Sequence, residues 1–335
     1  MDLKDKNIIV VGGCGVIGST LIDLLLAEAE PKKITVIDNL YRGTMANLES
    51  ALASGRVEVV RQDIRDVKAL RPLFDGVDAV FHQAAIRITA CASEPRDCLD
   101  VLINGTYNVL ECCVDAGVKK VVAASSASVY GAADEFPTTE THHPYNNRTW
   151  YGAAKVANEG TLRSFNHLYG LEYIALRYFN VFGPRMDVFG KYTEVFMKWM
   201  DLIDRGESPK IYGDGSHTMD FVFTEDVARA NLAAMRSDKS DEVYNVGTGV
   251  ETSLLEVVDS LLRACGAEHL KPEFVEECSV NPVPRRLADV SKAKRDLGFE
   301  AQVGFDEGVR RLVEWRNDVI ARGQKAEYDP KSATA

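Results

Sequence analysis

The 335-residue chain lacks any apolar run of about 18 residues, the length a helix needs to cross a bilayer, so no membrane span is expected. It lacks an excess of basic charge. The formal net charge is −11, which argues against a non-specific binder of phosphate backbones and leaves nucleic acid outside the expected partners. No CxxC pair occurs, and the cysteines number seven: Cys14, Cys91, Cys98, Cys112, Cys113, Cys265 and Cys278. An odd, scattered set is a poor disulfide framework, and Cys112-Cys113 in an apolar helical stretch reads as packing. The six histidines (His82, His142, His143, His167, His217 and His269) show no zinc-type spacing, so no metal is expected. The only adjacent pair, His142-His143, falls in a loop rich in proline and asparagine. There is no tandem repeat and no low-complexity linker. The charged start, Met1 to Lys6, gives way at once to a strand pattern and does not read as a signal peptide, which makes the cytoplasm the expected location.

What is present is an ordinary globular balance, 46% hydrophobic and 27% charged residues, at a length that suits one large domain or two modest ones. Buried-strand runs are expected at Asn7–Gly12, Ile34–Asp38, Val57–Arg61, Ala79–His82 and Val121–Ser125, with helical patterns between them at Val16–Ala29 and Leu99–Ala116. Alternating strands and helices imply parallel pairing through right-handed crossovers, hence a doubly wound sheet covered on both faces. Further on, Ala153–Leu168, Glu194–Arg205 and Ser253–Cys265 read as helices, Glu172–Arg177 as another buried strand, and Tyr212–Ser216 as a turn. The polar tail from Gly323 to Ala335 reads as frayed.

Between the first strand and the first helix lies Gly12-Gly13-Cys14-Gly15-Val16-Ile17-Gly18. A tight turn, close backbone approach to a pyrophosphate and close helix–sheet packing are the reasons for glycines at 12, 15 and 18. The helix start then offers N–H groups and a positive dipole end to the anion. Asp38 ends the second strand, where a carboxylate accepts hydrogen bonds from a ribose 2′-hydroxyl and repels a 2′-phosphate. This favours NAD, with Arg42 keeping NADP as the alternative. The fold class is therefore α/β, a doubly wound parallel-sheet Rossmann domain with a smaller C-terminal α/β substrate lobe. The boundaries expected are 1–179 for the NAD-binding domain (the chain crossing back near 219–247), 180–322 for the substrate-binding lobe and 323–335 for a flexible tail.

Tyr151 and Lys155 stand four apart, on one face of an expected helix. An ordinary tyrosine has a pKa near 10, so a base working near pH 7 needs a downward shift of about three units. A nearby lysine charge, together with the positive ring of bound NAD, is expected to supply it. The segment Ser125-Ser126-Ala127-Ser128-Val129-Tyr130-Gly131 follows the fifth strand, where ligands meet an open α/β sheet.

These residues resemble the extended short-chain dehydrogenase/reductase family, in its nucleotide-sugar epimerase/dehydratase branch. The motifs are GGCGVIGS (12–19), DNLYRG (38–43), Asp63-Ile64, HQAA (82–85), NGTYNVLE (104–111), SSASVYG (125–131), YGAAK (151–155), LRYFNVFGPR (176–185), DFVFTEDVARA (220–230) and YNVGTG (244–249). The resemblance implies a catalytic triad of Ser126, Tyr151 and Lys155. It implies cofactor contacts from Gly12, Gly15, Val16, Ile17, Gly18, Asp38, Asn39, Arg42, Asp63, Ile64, Gln83, Ala84, Ala85, Asn104, Ser125, Tyr151, Lys155 and Tyr178. It implies substrate contacts from Arg87, Ser128, Asn180, Arg185 and Arg286. It also implies a homodimer built as a four-helix bundle from Leu99–Ala116 and Ala153–Leu168 of each copy. Dehydratases of the branch carry an Asp-Glu pair where Ala127-Ser128 stands here, and uronate decarboxylases carry Glu at the Ser128 position. The small/hydroxyl pair resembles the 4-epimerases, which invert a sugar C4 hydroxyl through a transient 4-keto sugar. A dehydrogenase or ketoreductase, a dehydratase or decarboxylase, and a non-catalytic NAD-sensing module are the alternatives.

The pattern breaks in three places. Met219 stands where the family usually has an arginine, and Ser279-Val280-Asn281-Pro282 where a second one commonly grips the diphosphate. Arg285, Arg286, Lys191 or Lys210 are the candidates to replace them. The stretch HQAAIRITACASEP is one residue short, and its Arg87 is placed to meet an acidic substrate group.

Overall fold

The computed structural model describes residues 1–188, 195–276 and 283–323. Short, nearly all-apolar segments form the strands β1 (Asn7–Val11), β2 (Lys33–Asp38), β3 (Val57–Arg61) and β4 (Ala79–His82), and α1 (Val16–Glu28) connects the first two. After them come the short helices α2 (Ile88–Ser93) and α3 (Pro95–Leu99), then α4 (Gly105–Ala116), β5 (Lys120–Ser126), α5 (Trp150–Tyr169), β6 (Glu172–Tyr178) and β7 (Asn180–Phe182). The remainder holds α6 (Val195–Asp204), β8 (Thr218–Met219), β9 (Phe221–Phe223), α7 (Thr224–Arg236), β10 (Glu242–Val246), β11 (Thr252–Ser253), α8 (Leu254–Ala264), β12 (Arg285–Arg286) and α9 (Phe305–Ala321).

Seven strands make one parallel sheet in the order β10-β6-β5-β4-β1-β2-β3. Alternate side chains go to opposite faces of a strand. Ile8, Val10, Val36, Phe81, Val122 and Ile174 accordingly pack with α1 and α7 on one face. Ile9, Val11, Ile37, Val80, Val121 and Tyr173 pack with α4 and α5 on the other. The strand order reverses between β1 and β4, and ligands of open α/β sheets bind in the crevice beyond such a point. A third core of Phe182, Phe196, Trp199, Phe221, Val257, Leu261 and Leu312 builds the lobe above that crevice, where the Phe182 and Phe196 rings stack with centroids 5.4 Å apart. In the same lobe β8 pairs antiparallel with β11 and parallel with β12.

The helix expected over Leu99–Ala116 is present, and it holds a wide π-helical turn at Asp100–Asn104 between α3 and α4. The next residue is Gly105, where a Cβ would come within 2.6 Å of the Ile64 side chain, so the helix sits too close to β3's following loop for a larger residue. The reading of the cysteines as a poor disulfide framework needs correction, since Cys91 and Cys98 are joined by a disulfide, their Cα atoms 4.8 Å apart. Glu94-Pro95 folds α2 back against α3, a local hairpin that cysteine spacing does not announce. The turn expected at Tyr212–Ser216 starts one residue later, since Tyr212 closes a short strand, Lys210–Tyr212. Glu194, Lys191, Cys278, the stretch Ser279-Val280-Asn281-Pro282 and the tail beyond Gly323 lie outside the described residues. Among the described residues, no helix is long and apolar enough to cross a membrane.

Candidate active site

At the end of β1 the chain turns through Gly12, whose φ of +79° only glycine adopts freely and whose N–H donates to the Ile37 carbonyl at 2.7 Å. A Cβ at Gly12 would lie 2.6 Å from the Ala84 backbone, and one at Gly18 would strike the Gly12 backbone. At Gly15 the nearest atom to an added Cβ is 3.4 Å away, so this position is open. Gly15 is also the N-cap of α1, no side chain caps it, and the first turn carries no acidic residue. Free N–H groups and the positive dipole end thus face the crevice.

Asp38 is buried at the end of β2. Its Oδ2 accepts from the Cys14 N–H at 3.0 Å and its Oδ1 from the Leu40 N–H at 2.8 Å. Burial pushes its carboxyl up, against these two hydrogen bonds. On the far side Asp63 takes Arg65 and Asn39. Although burial raises its carboxyl, these partners hold it at about 2. Gln83, Tyr178 and Asn231 form a closed triangle: Tyr178 Oη donates to Gln83 Oε1 at 2.9 Å, Gln83 Nε2 to Asn231 Oδ1 at 2.9 Å, and Asn231 Nδ2 to Tyr178 Oη at 2.8 Å. Asn231 sits on α7, 148 residues beyond Gln83, and no motif pointed to it.

Helix α5, which carries Tyr151 and Lys155, is capped by Thr149, whose Oγ1 accepts from the Gly152 N–H at 3.1 Å. Gly152 is there for contact. A Cβ at this position would come 2.5 Å from the Ser128 carbonyl oxygen, so the missing side chain lets α5 press against the 126–130 segment. This brings Tyr151 onto the Ser126 hydroxyl, which hydrogen-bonds the phenol. One turn on, Lys155 is buried. It donates to the Ala124 carbonyl at 2.7 Å, and its ammonium stands 5.8 Å from the Tyr151 ring centroid. One turn further, Glu159 takes Arg177 in a forked pair at 2.9 and 2.7 Å and accepts from Ser125 Oγ at 2.5 Å. This ties the helix to β5 and β6.

The expectation that Lys155 pulls the phenol down toward neutrality needs correction. Burial raises Tyr151, and the groups that oppose it are the Ser126 hydroxyl and the Arg286 guanidinium. Lys155 is itself lowered to about 8 by burial, against the pull of Glu159, and spends a hydrogen bond on Ala124.

Together these residues line a cleft of about 620 Å³. Its walls hold Gly12, Gly15, Val16, Ile17, Gly18, Asp38, Asn39, Arg42, Asp63, Ile64, Gln83, Ala84, Ala85, Ser125, Ser126, Tyr151 and Tyr178. Among the expected substrate contacts, Arg87, Ser128, Asn180, Arg185 and Arg286 line it too. Lys155 lies behind Tyr151 and does not line the cleft. Asn104 is not there: it is exposed in the π-helical turn and donates to Asp100 Oδ1 at 3.0 Å. Of the residues expected to replace the missing arginines, Arg285 is held outside by Glu251 at 2.6 and 2.8 Å, and Lys210 faces Glu273 on an exposed strand. Only Arg286 reaches the cleft among the described candidates. Arg185 pairs with Asp23 at 2.5 Å, and burial followed by Arg42 lowers Arg87 to about 9, with Asp187 opposing. In the loop before α5, His142, His143 and Asp134 bring ligating atoms within 4.8 Å of one another. Both His142 nitrogens are engaged there, Nε2 with Asp134 at 2.7 Å and Nδ1 with the His143 carbonyl at 2.8 Å.

An open glycine cradle at a helix start, a buried acid at the end of the next strand and a Ser-Tyr-Lys group at the far end fit a dinucleotide. Gly12, Gly15, Gly18 and the start of α1 would hold its pyrophosphate, and Asp38 the ribose. The model of the NAD dependent epimerase/dehydratase family matches residues 8–247. A UDP-glucose 4-epimerase of Mycolicibacterium smegmatis is 36% identical over 310 residues, covering 92% of this chain and 97% of the relative. The solved UDP-glucose 4-epimerase of Thermotoga maritima, with UDP-glucose, superposes with a TM-score of 0.87 at 34% identity, covering 94% and 99%. A dTDP-glucose 4,6-dehydratase of Streptomyces venezuelae, solved with NAD bound, gives 0.86 at 30% identity, covering 94% and 98%.

Proposed function

The chain belongs to the NAD-dependent epimerase/dehydratase family, and from that premise we propose that it inverts the C4 hydroxyl of a nucleotide-linked sugar through a transient 4-keto sugar. NAD is the cofactor. When bound, it supplies the acceptor and donor of hydride. The protein's own work is with the proton. Tyr151 Oη takes the hydroxyl proton of the sugar, held in line by the Ser126 hydroxyl, and returns it once the keto sugar has turned. Arg286 lowers the phenol from the sugar side, and Lys155, one turn on, donates to the Ala124 carbonyl.

The observation that carries the reading is what stands beside Tyr151. The segment 125–131 presents Ser125, Ser126 and Ser128 to the cleft and contains no carboxylate. Elimination of water needs a second acid and base there, while inversion needs only the phenol. We expect the purified protein to carry tightly held NAD and to turn over with no net gain of NADH absorbance. Incubated with UDP-, GDP-, CDP- and dTDP-sugars, it should give C4-inverted product by NMR. Stoichiometric NADH release would point to a dehydrogenase. An absence of inversion across the whole panel would defeat the reading.

We further propose a homodimer. Tyr107 on α4 and Trp150, Leu168 and Tyr169 on α5 are large apolar side chains left 47–67% exposed, and the two helices pack side by side. Pairing this face with that of a second copy would make a four-helix bundle and cover them. Light scattering on the purified chain should return twice the mass of one chain, and Tyr107→Glu with Leu168→Glu should return a single mass. A monomeric wild type at micromolar concentration would exclude the pairing.

A further inference from the structure

The sugar end of the cleft holds a cation that the reaction above leaves underused. Strand β12 is two residues long and pairs in parallel with β8, Arg285 beside Thr218 and Arg286 beside Met219. Alternation sends the two arginines opposite ways. Arg285 points out to Glu251. Arg286 points in, is 9% exposed, and lines the cleft with Tyr151, Ser126, Ser128 and Asn180. It has no hydrogen bond or ion pair with any described residue, and its charged-group neighbour is the Tyr151 phenol.

A guanidinium carries five N–H donors and stays charged at any pH the protein meets. Buried without an acceptor it is a costly group to keep, and it becomes favourable only when an anion arrives. The phenol can take one of its donors at most. Of the other cleft arginines, Arg65 pairs with Asp63, which follows β3, and Arg185 pairs with Asp23 on α1 while keeping one buried nitrogen without a partner. Arg286 stands beside the phenol that meets the sugar, not beside the cradle for the pyrophosphate. A planar fork at that position matches a carboxylate, oxygen for N–H, in two parallel bonds.

We propose that Arg286 binds a carboxylate on the sugar itself, so that the substrate of this chain is a nucleotide-linked uronic acid. This rests on the reading that the Ser126–Tyr151 end of the cleft holds the sugar.

Titration calorimetry on the NAD-loaded protein tests it with UDP-glucuronate, UDP-glucose and UDP. The wild type should bind UDP-glucuronate at least about tenfold more tightly than UDP-glucose. Arg286→Gln should weaken UDP-glucuronate by about 100-fold, the usual scale for truncating one side of a buried charge pair, and remove the preference. Its effect on UDP should stay within about threefold. Arg286→Lys keeps the charge without the fork and should fall between the two. Melting curves of both variants check that the fold is kept. UDP-glucuronate bound no better than UDP-glucose by the wild type, or not at all, would overturn the proposal. Equal weakening of UDP and UDP-glucuronate by Arg286→Gln would overturn it too, placing the guanidinium on the diphosphate. The same samples followed by NMR separate the two readings. Inversion of neutral sugars alone would leave the epimerase standing and remove the acidic substrate. Preferential binding of the uronate without inversion would do the reverse.

Discussion

Tyr151→Phe should lower kcat for sugar inversion by about 10³-fold, within the range general acid–base groups contribute. The substitution removes one oxygen and keeps the ring that packs beside Ala154 and Cys98, so the fold and the NAD content should be unchanged. The expected loss is large because the described residues offer no second proton acceptor of comparable placement. Ser126 is hydrogen-bonded to the phenol but its aliphatic hydroxyl is a much weaker acid than a phenol, and Lys155 donates to the Ala124 carbonyl. Nucleotide-sugar affinity should change little, which separates loss of the chemical step from loss of binding. Inversion by the variant within about tenfold of wild type would show that the proton passes elsewhere, and the mechanism above would fail.

Arg177→Met should destabilise the protein by about 3–5 kcal/mol, the scale seen when one partner of a buried ion pair is removed. Arg177 and Glu159 have side chains only 10% and 14% exposed, joined by a forked pair, and Arg177 also donates to Tyr130 Oη and the Glu140 carbonyl at 2.9 Å. Without the guanidinium, Glu159 keeps Ser125 as its remaining partner while its charge stays desolvated. In melting temperature this is a fall on the order of 10 °C. Removing both charges, as Arg177→Met with Glu159→Leu, should recover a good part of the loss, because no uncompensated charge is then buried. The exposed pair Arg310–Glu307 provides the contrast. Arg310→Ala should leave the melting temperature nearly unchanged, because exposed ion pairs contribute little. A melting shift for Arg177→Met no larger than that of Arg310→Ala would sink the argument. Since Glu159 and Tyr151 share α5, the single variant should also lower kcat.

Much of the cofactor end can be read along the chain. The turn at Gly12, Gly15 and Gly18, the strand before it and Asp38 after it form one contiguous stretch, and each residue's job follows from backbone geometry and local charge. The Tyr151–Lys155 spacing places both residues on one helix, and the structure agrees, but the electrostatics that the spacing suggests are not those found. Whether an ammonium acts on a phenol depends on what else it can reach. Here the nearest acceptor is the Ala124 carbonyl on β5, 31 positions earlier. The same limit hides the Cys91–Cys98 bridge, the Asn231 corner of the Gln83–Tyr178 triangle, and the reason for Gly152.

The amino-acid order by itself determines the alternation of strands and helices, the glycine turn, the acid that follows it and the placing of Tyr151 and Lys155 on one helix, because periodicity, backbone freedom and helical spacing act over a few residues. Only the tertiary structure decides that Arg286 turns inward while Arg285 turns out, that the two meet Tyr151 and Glu251 respectively, and that a lysine four residues from the phenol is spent elsewhere. Those outcomes depend on which strand lies alongside and which charge lost its water, and such distances are set by packing among segments far apart in the chain.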